Sequence, residues 1–116
     1  MDSSITISDM NNAAMQIILH AGDCRNLINE AMEDLLAEKD STSIEEKLKQ
    51  AKKEITKAHV IQTEMIQGTI NDEEVPSTLL FTHAQDTLMT VNSEVNLVKM
   101  MVKMYQKLEG NQHGNS

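Results

Sequence analysis

The 116-residue sequence is poor in the residues that interrupt helices, cross-link a chain or build an aromatic core. It contains four Gly, one Pro and one Cys, and its aromatic residues are one Phe and one Tyr, with no Trp. A single Cys excludes an internal disulfide, and the scarcity of Gly and Pro favours long helices over sheet. With so few aromatic residues the core must be aliphatic. The length and the scarcity of Gly and Pro together predict one all-α domain.

Positive charge is also scarce, since 10 Lys and Arg stand against 18 Asp and Glu, a net charge of −8. Nucleic acid and anionic membrane surfaces are bound by clustered basic residues, so neither is expected as a partner. No signal peptide or long apolar run precedes the first predicted helix. We therefore expect a cytoplasmic protein without direct membrane insertion, whose acidic surface suits a basic protein partner.

Apolar periodicity predicts a three-helix bundle with up-down-up order. Residues 1–8 are expected to form a flexible arm, residues 9–109 the helical domain and residues 110–116 a disordered tail. The first helix is predicted over residues 9–38 and the second over residues 44–70, with Ser43 and Glu46 forming a capping box.

The third helix carries two apolar stripes. One is an ordinary core stripe with alternating three- and four-residue steps: Phe81, Ala84, Leu88, Val91, Val95, Val98, Val102 and Tyr105. The other has the same steps but includes polar residues: Leu79, His83, Asp86, Thr90, Ser93, Leu97, Met100 and Met104. At about 100° per residue the two stripes lie roughly 160° apart around the helix. A chain this short cannot cover both, so the second stripe predicts self-association.

His83 is the leading candidate for chemistry, because imidazole can be neutral, nucleophilic and protonatable near neutral pH. Gln85 and Thr87 flank it with donors able to hold a phosphoryl oxygen or a water. Asp86 lies one turn on, where self-association would bring its copies together. Such carboxylates repel unless one is protonated or a hard cation such as Mg²⁺ lies among them. The alternatives are that Asp86 points to solvent at the rim and that His83 is only a satisfied interface group.

The second helix has polar residues on its apolar side. Gln62 falls on the stripe and His59 lies beside it, so both are expected to need a partner and to support the site. On the first helix, His20 stands in an aliphatic stretch and is expected at a packing interface, and Cys24 is expected to be a small core residue.

Several catalytic classes lack their signatures. A di-iron bundle would require a Glu three residues before a His, and none of the four His has one. Nucleophile elbows, Walker loops and Cys-x-x-Cys pairs are absent as well.

Three segments resemble a known family, the enzyme IIA components of the lactose/cellobiose class of the sugar phosphotransferase system. Residues 82–90, Thr-His-Ala-Gln-Asp-Thr-Leu-Met-Thr, are similar to its motif His-Ala/Gly-Gln-Asp-His-Leu-Met. Residues 58–63, Ala-His-Val-Ile-Gln-Thr, resemble its Ala-His-x-x-Gln-Thr, and residues 21–25, Ala-Gly-Asp-Cys-Arg, resemble its first-helix signature. The similarity runs in order from about Ile17 to Leu108.

The resemblance implies a homotrimer whose third helices meet at a three-fold axis, with the active histidine in a groove between subunits. His83 would accept phosphate from the phosphocarrier HPr and pass it to a cysteine of the cognate IIB protein, serving uptake of lactose- or cellobiose-type β-linked oligosaccharides. Asp86 matches the family aspartate that gathers around a metal ion, here expected to be one Mg²⁺ per trimer.

One position departs from the family pattern, because Thr87 stands where a second His is common. A hydroxyl can still donate one hydrogen bond to a phosphoryl oxygen, so transfer is expected to survive. A non-enzymatic helical adaptor, a regulatory paralogue that receives phosphate without feeding a transporter, and a metal-storage bundle remain as alternatives.

Overall fold

The computed structural model describes residues 5–70 and 77–114, which form three α-helices and, within those ranges, no strand. They are α1 (Ile7–Leu36), α2 (Ser41–Thr69) and α3 (Leu79–Gly114). The helices form an elongated up-down-up bundle with extents of 70 × 23 × 19 Å. The predicted all-α architecture is confirmed. Within residues 5–70 and 77–114, no helix combines the length and apolarity needed to cross a membrane.

The core is aliphatic and follows the predicted stripes. The α1 stripe is fully buried and consists of Ala14, Ile17, Ala21, Cys24, Ile28, Ala31 and Leu35. In α2 the buried positions are Ile44, Leu48, Ala51, Ile55 and Ala58. The core stripe of α3 packs against them, with Val98 and Tyr105 partly buried and the other members buried. Small residues on α1 and α2 let these two helices approach closely. Because the core stripe of α3 packs against them, the opposite side of α3 remains exposed.

Both α1 and α2 begin a few residues earlier than predicted, because side chains just before each helix accept hydrogen bonds from its free backbone N–H groups. Thr6 and Asp9 form a capping box, with Thr6 Oγ1 accepting from Asp9 N at 3.0 Å and Asp9 Oδ2 accepting from Thr6 N at 2.9 Å. The predicted capping box of Ser43 and Glu46 is wrong. Asp40 caps α2 instead, accepting from Ser43 N at 2.9 Å, and the helix begins at Ser41.

The predicted arm and tail are partly helical. Ile7 and Ser8 lie in the first turn of α1, and residues 1–4 lie outside the described part of the chain. Helix α3 continues to Gly114, so residues 110–114 are helical, and residues 115–116 lie outside the described part. Continuing a helix through one Gly costs only about 1 kcal/mol relative to Ala, which explains why Gly110 does not end it.

A left-handed residue ends α1. Glu38 has a φ of 58°, and Lys39 N donates to Asp34 O while Glu38 N donates to Leu35 O. These two bonds form a Schellman motif, which normally has Gly at the left-handed position. The turn brings Lys47 Nζ to 2.6 Å from Asp34 Oδ2 and the Ser43 hydroxyl to 3.3 Å from the same oxygen. The Asp34 carboxylate thus joins α1 to the start of α2.

Candidate active site

The second stripe of α3 is the outer face of the chain, as the two-stripe pattern predicted. Each of its members is exposed: Leu79, His83, Asp86, Thr90, Ser93, Leu97, Met100 and Met104. Leu97 is 55%, Met100 61% and Met104 61% exposed. A row of large apolar side chains on a single helix face is typical of an interaction surface. We call these eight residues the outer face of α3.

His83 lies near the N-terminal end of this face, in the second turn of α3. Its side chain is exposed and makes no hydrogen bond or ion pair within the described part of the chain. Helix N-terminal ends favour negative charge, and side chains on a helix lean toward the N-terminus. The imidazole is therefore accessible to a partner and near an end of α3 that suits an anionic group.

Helix geometry separates the residues predicted to act with His83. Thr87 lies about 40° from His83 around α3 and Asp86 about 60°, so both share its side of the helix. Gln85 lies about 160° away, because residues two apart do not face each other. Gln85 therefore cannot share a phosphoryl group with His83 of its own chain. The predicted contact between Gln85 and a phosphoryl group therefore requires that the group be carried by His83 of another copy of the chain.

The Thr87 hydroxyl has a partner in this structure. Its Oγ1 donates to the backbone carbonyl oxygen of His83 at 3.0 Å. The single hydroxyl hydrogen is engaged, so donation to a phosphoryl oxygen requires this bond to break and the hydroxyl to rotate. The bond also ties the side chain to the backbone of the histidine it would assist.

His59 and Gln62 lie on α2 and face α3 farther along the bundle. His59 Nε2 is 3.4 Å from Asn92 Oδ1. Asn92 is about 13 Å along α3 from His83, from the rise of 1.5 Å per residue. Gln62 is half-buried one turn nearer to the His83 end, since α2 and α3 are antiparallel. Within one chain these residues support the α2–α3 contact and do not touch His83.

Asp86 has the donor type for a hard cation but not the number of donors. Its carboxylate is exposed and has no ion pair or side-chain hydrogen bond within the described residues. Mg²⁺ prefers six oxygen ligands, several of them waters, and one chain offers one carboxylate with the Thr90 hydroxyl one turn away. The residues fit Mg²⁺ only where several copies of Asp86 converge.

Two polar features that involve α1 could not be found from the sequence pattern. Arg25 holds Glu94 through two bonds, Nε to Oε1 at 2.9 Å and Nη2 to Oε2 at 3.0 Å, which joins α1 to α3. Asn11 Oδ1 is buried with no hydrogen-bond partner in the described structure. Because α1 and α3 run parallel with Arg25 opposite Glu94, Asn11 lies at the level of Leu80, near the His83 end.

Comparison with known proteins identifies the family. The family described as "PTS system, Lactose/Cellobiose specific IIA subunit" matches residues 12–106. The lichenan-specific phosphotransferase enzyme IIA component of Bacillus subtilis is 37% identical over 102 residues, covering 86% of this chain and 90% of that protein.

Two crystal structures share the fold. PtcA from S. mutans superposes with a TM-score of 0.81 at 29% identity, covering 88% of this chain and 99% of that one. The PTS cellobiose-specific enzyme IIA from Bacillus anthracis superposes with a TM-score of 0.79 at 30% identity, covering 95% and 98%. The family expected from the three motifs is confirmed. The chain belongs to the lactose/cellobiose-specific IIA subunits of the sugar phosphotransferase system, which are phosphotransfer components that relay phosphoryl groups to a IIB component.

Proposed function

We propose that this chain is a phosphohistidine carrier that accepts a phosphoryl group from HPr on His83 and passes it to its cognate IIB protein. The observation that carries the proposal is the exposed imidazole of His83, which has no side-chain partner in the described structure. It stands in the segment that resembles the family's histidine motif. The relative specific for lichenan and the structural neighbour specific for cellobiose favour β-linked glucose oligosaccharides as the transported sugars.

The transfer makes small demands on this chain. A neutral His83 nitrogen attacks the phosphorus in line, and an N–P bond forms on His83 as the N–P bond of the donor breaks. The other ring nitrogen of His83 releases its proton, and the departing imidazole takes one up. Charge spreads over three equatorial oxygens, for which Thr87 after rotation and the N-terminal end of α3 offer stabilisation. The docked partner contributes the remaining positioning.

The carrier is proposed to work as a homotrimer in which the outer faces of α3 meet at a three-fold axis, with His83 in a groove between subunits that the partner proteins can reach. The exposed Leu97, Met100 and Met104 support this arrangement because they would leave water together. Asp86 from each subunit would hold a Mg²⁺ ion at the axis, where the ion would neutralise the three carboxylates. Gln85 of one subunit could then reach the groove that contains His83 of its neighbour.

The test is phosphorylation with phosphoenolpyruvate, the upstream kinase of HPr, and HPr. We expect one acid-labile phosphoryl group per chain, absent in His83→Ala and retained in His59→Ala. The second variant is the matched control, since it removes a different helical imidazole, the half-buried one of His59 on α2. Adding IIB should then discharge the label. Absence of label, or full labelling of His83→Ala, would refute the carrier proposal. Labelling without discharge to IIB would favour the regulatory paralogue.

Mixed assemblies test the role of Gln85. Gln85→Leu should slow phosphorylation, and adding unlabelled His83→Ala chains should restore the rate, because those chains supply Gln85 beside a neighbour's His83. Restoration is the expected result if Gln85 acts between chains. A rate that stays low after mixing would contradict that role and leave the phosphoryl contact to other residues.

A further inference from the structure

Three metal-binding side chains meet between α1 and α2, away from the outer face of α3. His20 and Asp23 are three residues apart on α1 and so share a side of the helix. Glu54 reaches them from α2, with its Oε2 atom 2.8 Å from His20 Nδ1. One donor atom from each of the three residues lies within 4.8 Å of the other two. The proposed phosphoryl transfer through His83 uses none of these side chains.

The backbone behind the cluster is held firmly. Ala21 and Cys24 on α1 and Ile55 and Ala58 on α2 are buried at 0 to 1% exposure, so the two helices are fixed against each other at this level. The side chains of His20 and Glu54 are each 21% exposed, and Asp23 is exposed. Two donors are therefore partly shielded and one side is open to water. This is the arrangement of a metal site with three protein ligands and a free position.

The donor set selects the class of metal. One imidazole nitrogen with two carboxylate oxygens suits Zn²⁺ and neighbouring transition metals, whereas Mg²⁺ and Ca²⁺ prefer oxygen alone. Zinc bonds of 2.0–2.2 Å in a tetrahedron separate the donors by about 3.4 Å. Binding requires His20 Nδ1 to give up the proton it donates to Glu54, so that the neutral ring carries its hydrogen on Nε2 and Nδ1 can ligate. It also requires His20 Nδ1 and Glu54 Oε2 to open by about half an ångström, and the exposed Asp23 side chain to turn inward. These changes leave the helices in place.

The local charge also suits a cation. The cluster contains two carboxylates, Asp23 and Glu54, whose negative charge attracts a cation. Lys57 Nζ lies 3.2 Å from the other oxygen, Glu54 Oε1, and would compete with a metal through its like charge. The Lys57 side chain is 57% exposed and can swing into solvent. We propose that His20, Asp23 and Glu54 form a binding site for one Zn²⁺-class ion that links α1 to α2.

The experiment is Zn²⁺ titration calorimetry on the wild-type chain and on a chain carrying His83→Gln and Asp86→Asn, which removes the other candidate ligands. In the second chain we expect one Zn²⁺ per chain, with affinity at least tenfold weaker after Asp23→Asn or His20→Gln. His59→Gln is the matched control and should leave affinity unchanged. Lys57→Ala should strengthen binding severalfold, because it removes the competing cation. Co²⁺ in place of Zn²⁺ should show the visible absorption of a tetrahedral site.

Folding of each variant is checked by its circular dichroism in EDTA. Asp23→Asn is the decisive variant, because Asp23 is exposed and its replacement leaves the bond between His20 and Glu54 intact. Zinc should raise the melting temperature of the parent chain and not that of Asp23→Asn. Failure of the parent chain to bind Zn²⁺, or affinity in Asp23→Asn and His20→Gln equal to that of the parent chain, would overturn the proposal. Either result leaves the phosphorylation of His83 untouched.

Discussion

Shortening Leu97 to Ala is expected to weaken self-association while leaving the fold of each chain intact. Leu97 is 55% exposed on the outer face of α3. Fully burying a Leu side chain contributes about 1.5–3 kcal/mol, so covering the exposed part contributes about 0.8–1.6 kcal/mol per copy. Ala is the best helix former and adds no polar group, so α3 itself should not suffer.

The effect multiplies because the proposed trimer would contain three copies of the residue. A loss of about 1 kcal/mol per chain becomes about 3 kcal/mol per trimer, which is about a hundredfold in the dissociation constant. That constant scales with the square of the monomer concentration, so the midpoint concentration moves about tenfold. Met104, 61% exposed one heptad farther on, should double the free-energy loss when it is also changed to Ala.

Sedimentation velocity over a dilution series measures this shift. The matched control is Leu36→Ala, since Leu36 is 77% exposed but lies at the end of α1. We expect Leu36→Ala to sediment as the wild type and Leu97→Ala to dissociate at higher concentration. A wild-type chain that is monomeric at every concentration, or equal shifts for the two variants, would refute an assembly built on the outer face of α3.

Three further outcomes follow from the fold. Glu38→Gly should raise the free energy of unfolding by about 1 kcal/mol in urea titrations, because Gly removes the strain of a left-handed residue, whereas Glu38→Ala should not. The hydrogen bond from Lys47 lowers the pKa of Asp34. The stability that this pair contributes is therefore complete above the ordinary Asp pKa and is lost as pH falls below about 4, and Asp34→Asn should remove part of that dependence of the urea midpoint. Burial raises the pKa of Cys24 to about 11, so iodoacetamide at pH 8 should modify it only after unfolding.

The faces of the helices could be predicted from the sequence, but their axial register could not. The alternation of Ala14, Ile17, Ala21 and Cys24 defines a buried side for α1 regardless of what covers it. The bonds from Arg25 to Glu94 and from His59 to Asn92 depend on which turns of two helices stand level. Periodicity is the same for every register, so those pairs need the packed structure.

Helix ends and side-chain angles escaped prediction for a related reason. Ser43 fits the pattern of a cap, but Asp40 lies three residues earlier and its carboxylate accepts the N–H of Ser43. Gln85 adjoins His83 in the motif, yet the helix turns it to the opposite side while bringing Thr87 alongside. Residues that are close together in a sequence motif can lie on opposite sides of a helix. Their angles around α3 show which of them can act together with His83.

The histidine of the candidate site differs from the other histidines whose side chains are described in having no side-chain hydrogen-bond partner. His20 is bonded to Glu54 at 2.8 Å and His59 lies 3.4 Å from Asn92, whereas His83 alone among these three has no side-chain partner in the described structure. In the proposed transfer two different proteins must reach His83 in turn, and an internal bond that had to break first would raise each barrier. Leaving His83 unpaired costs little because water solvates it. His83 therefore interrupts the outer face of α3 with a polar side chain that has no side-chain partner in the described structure, which is what the proposed transfer to and from docking proteins requires.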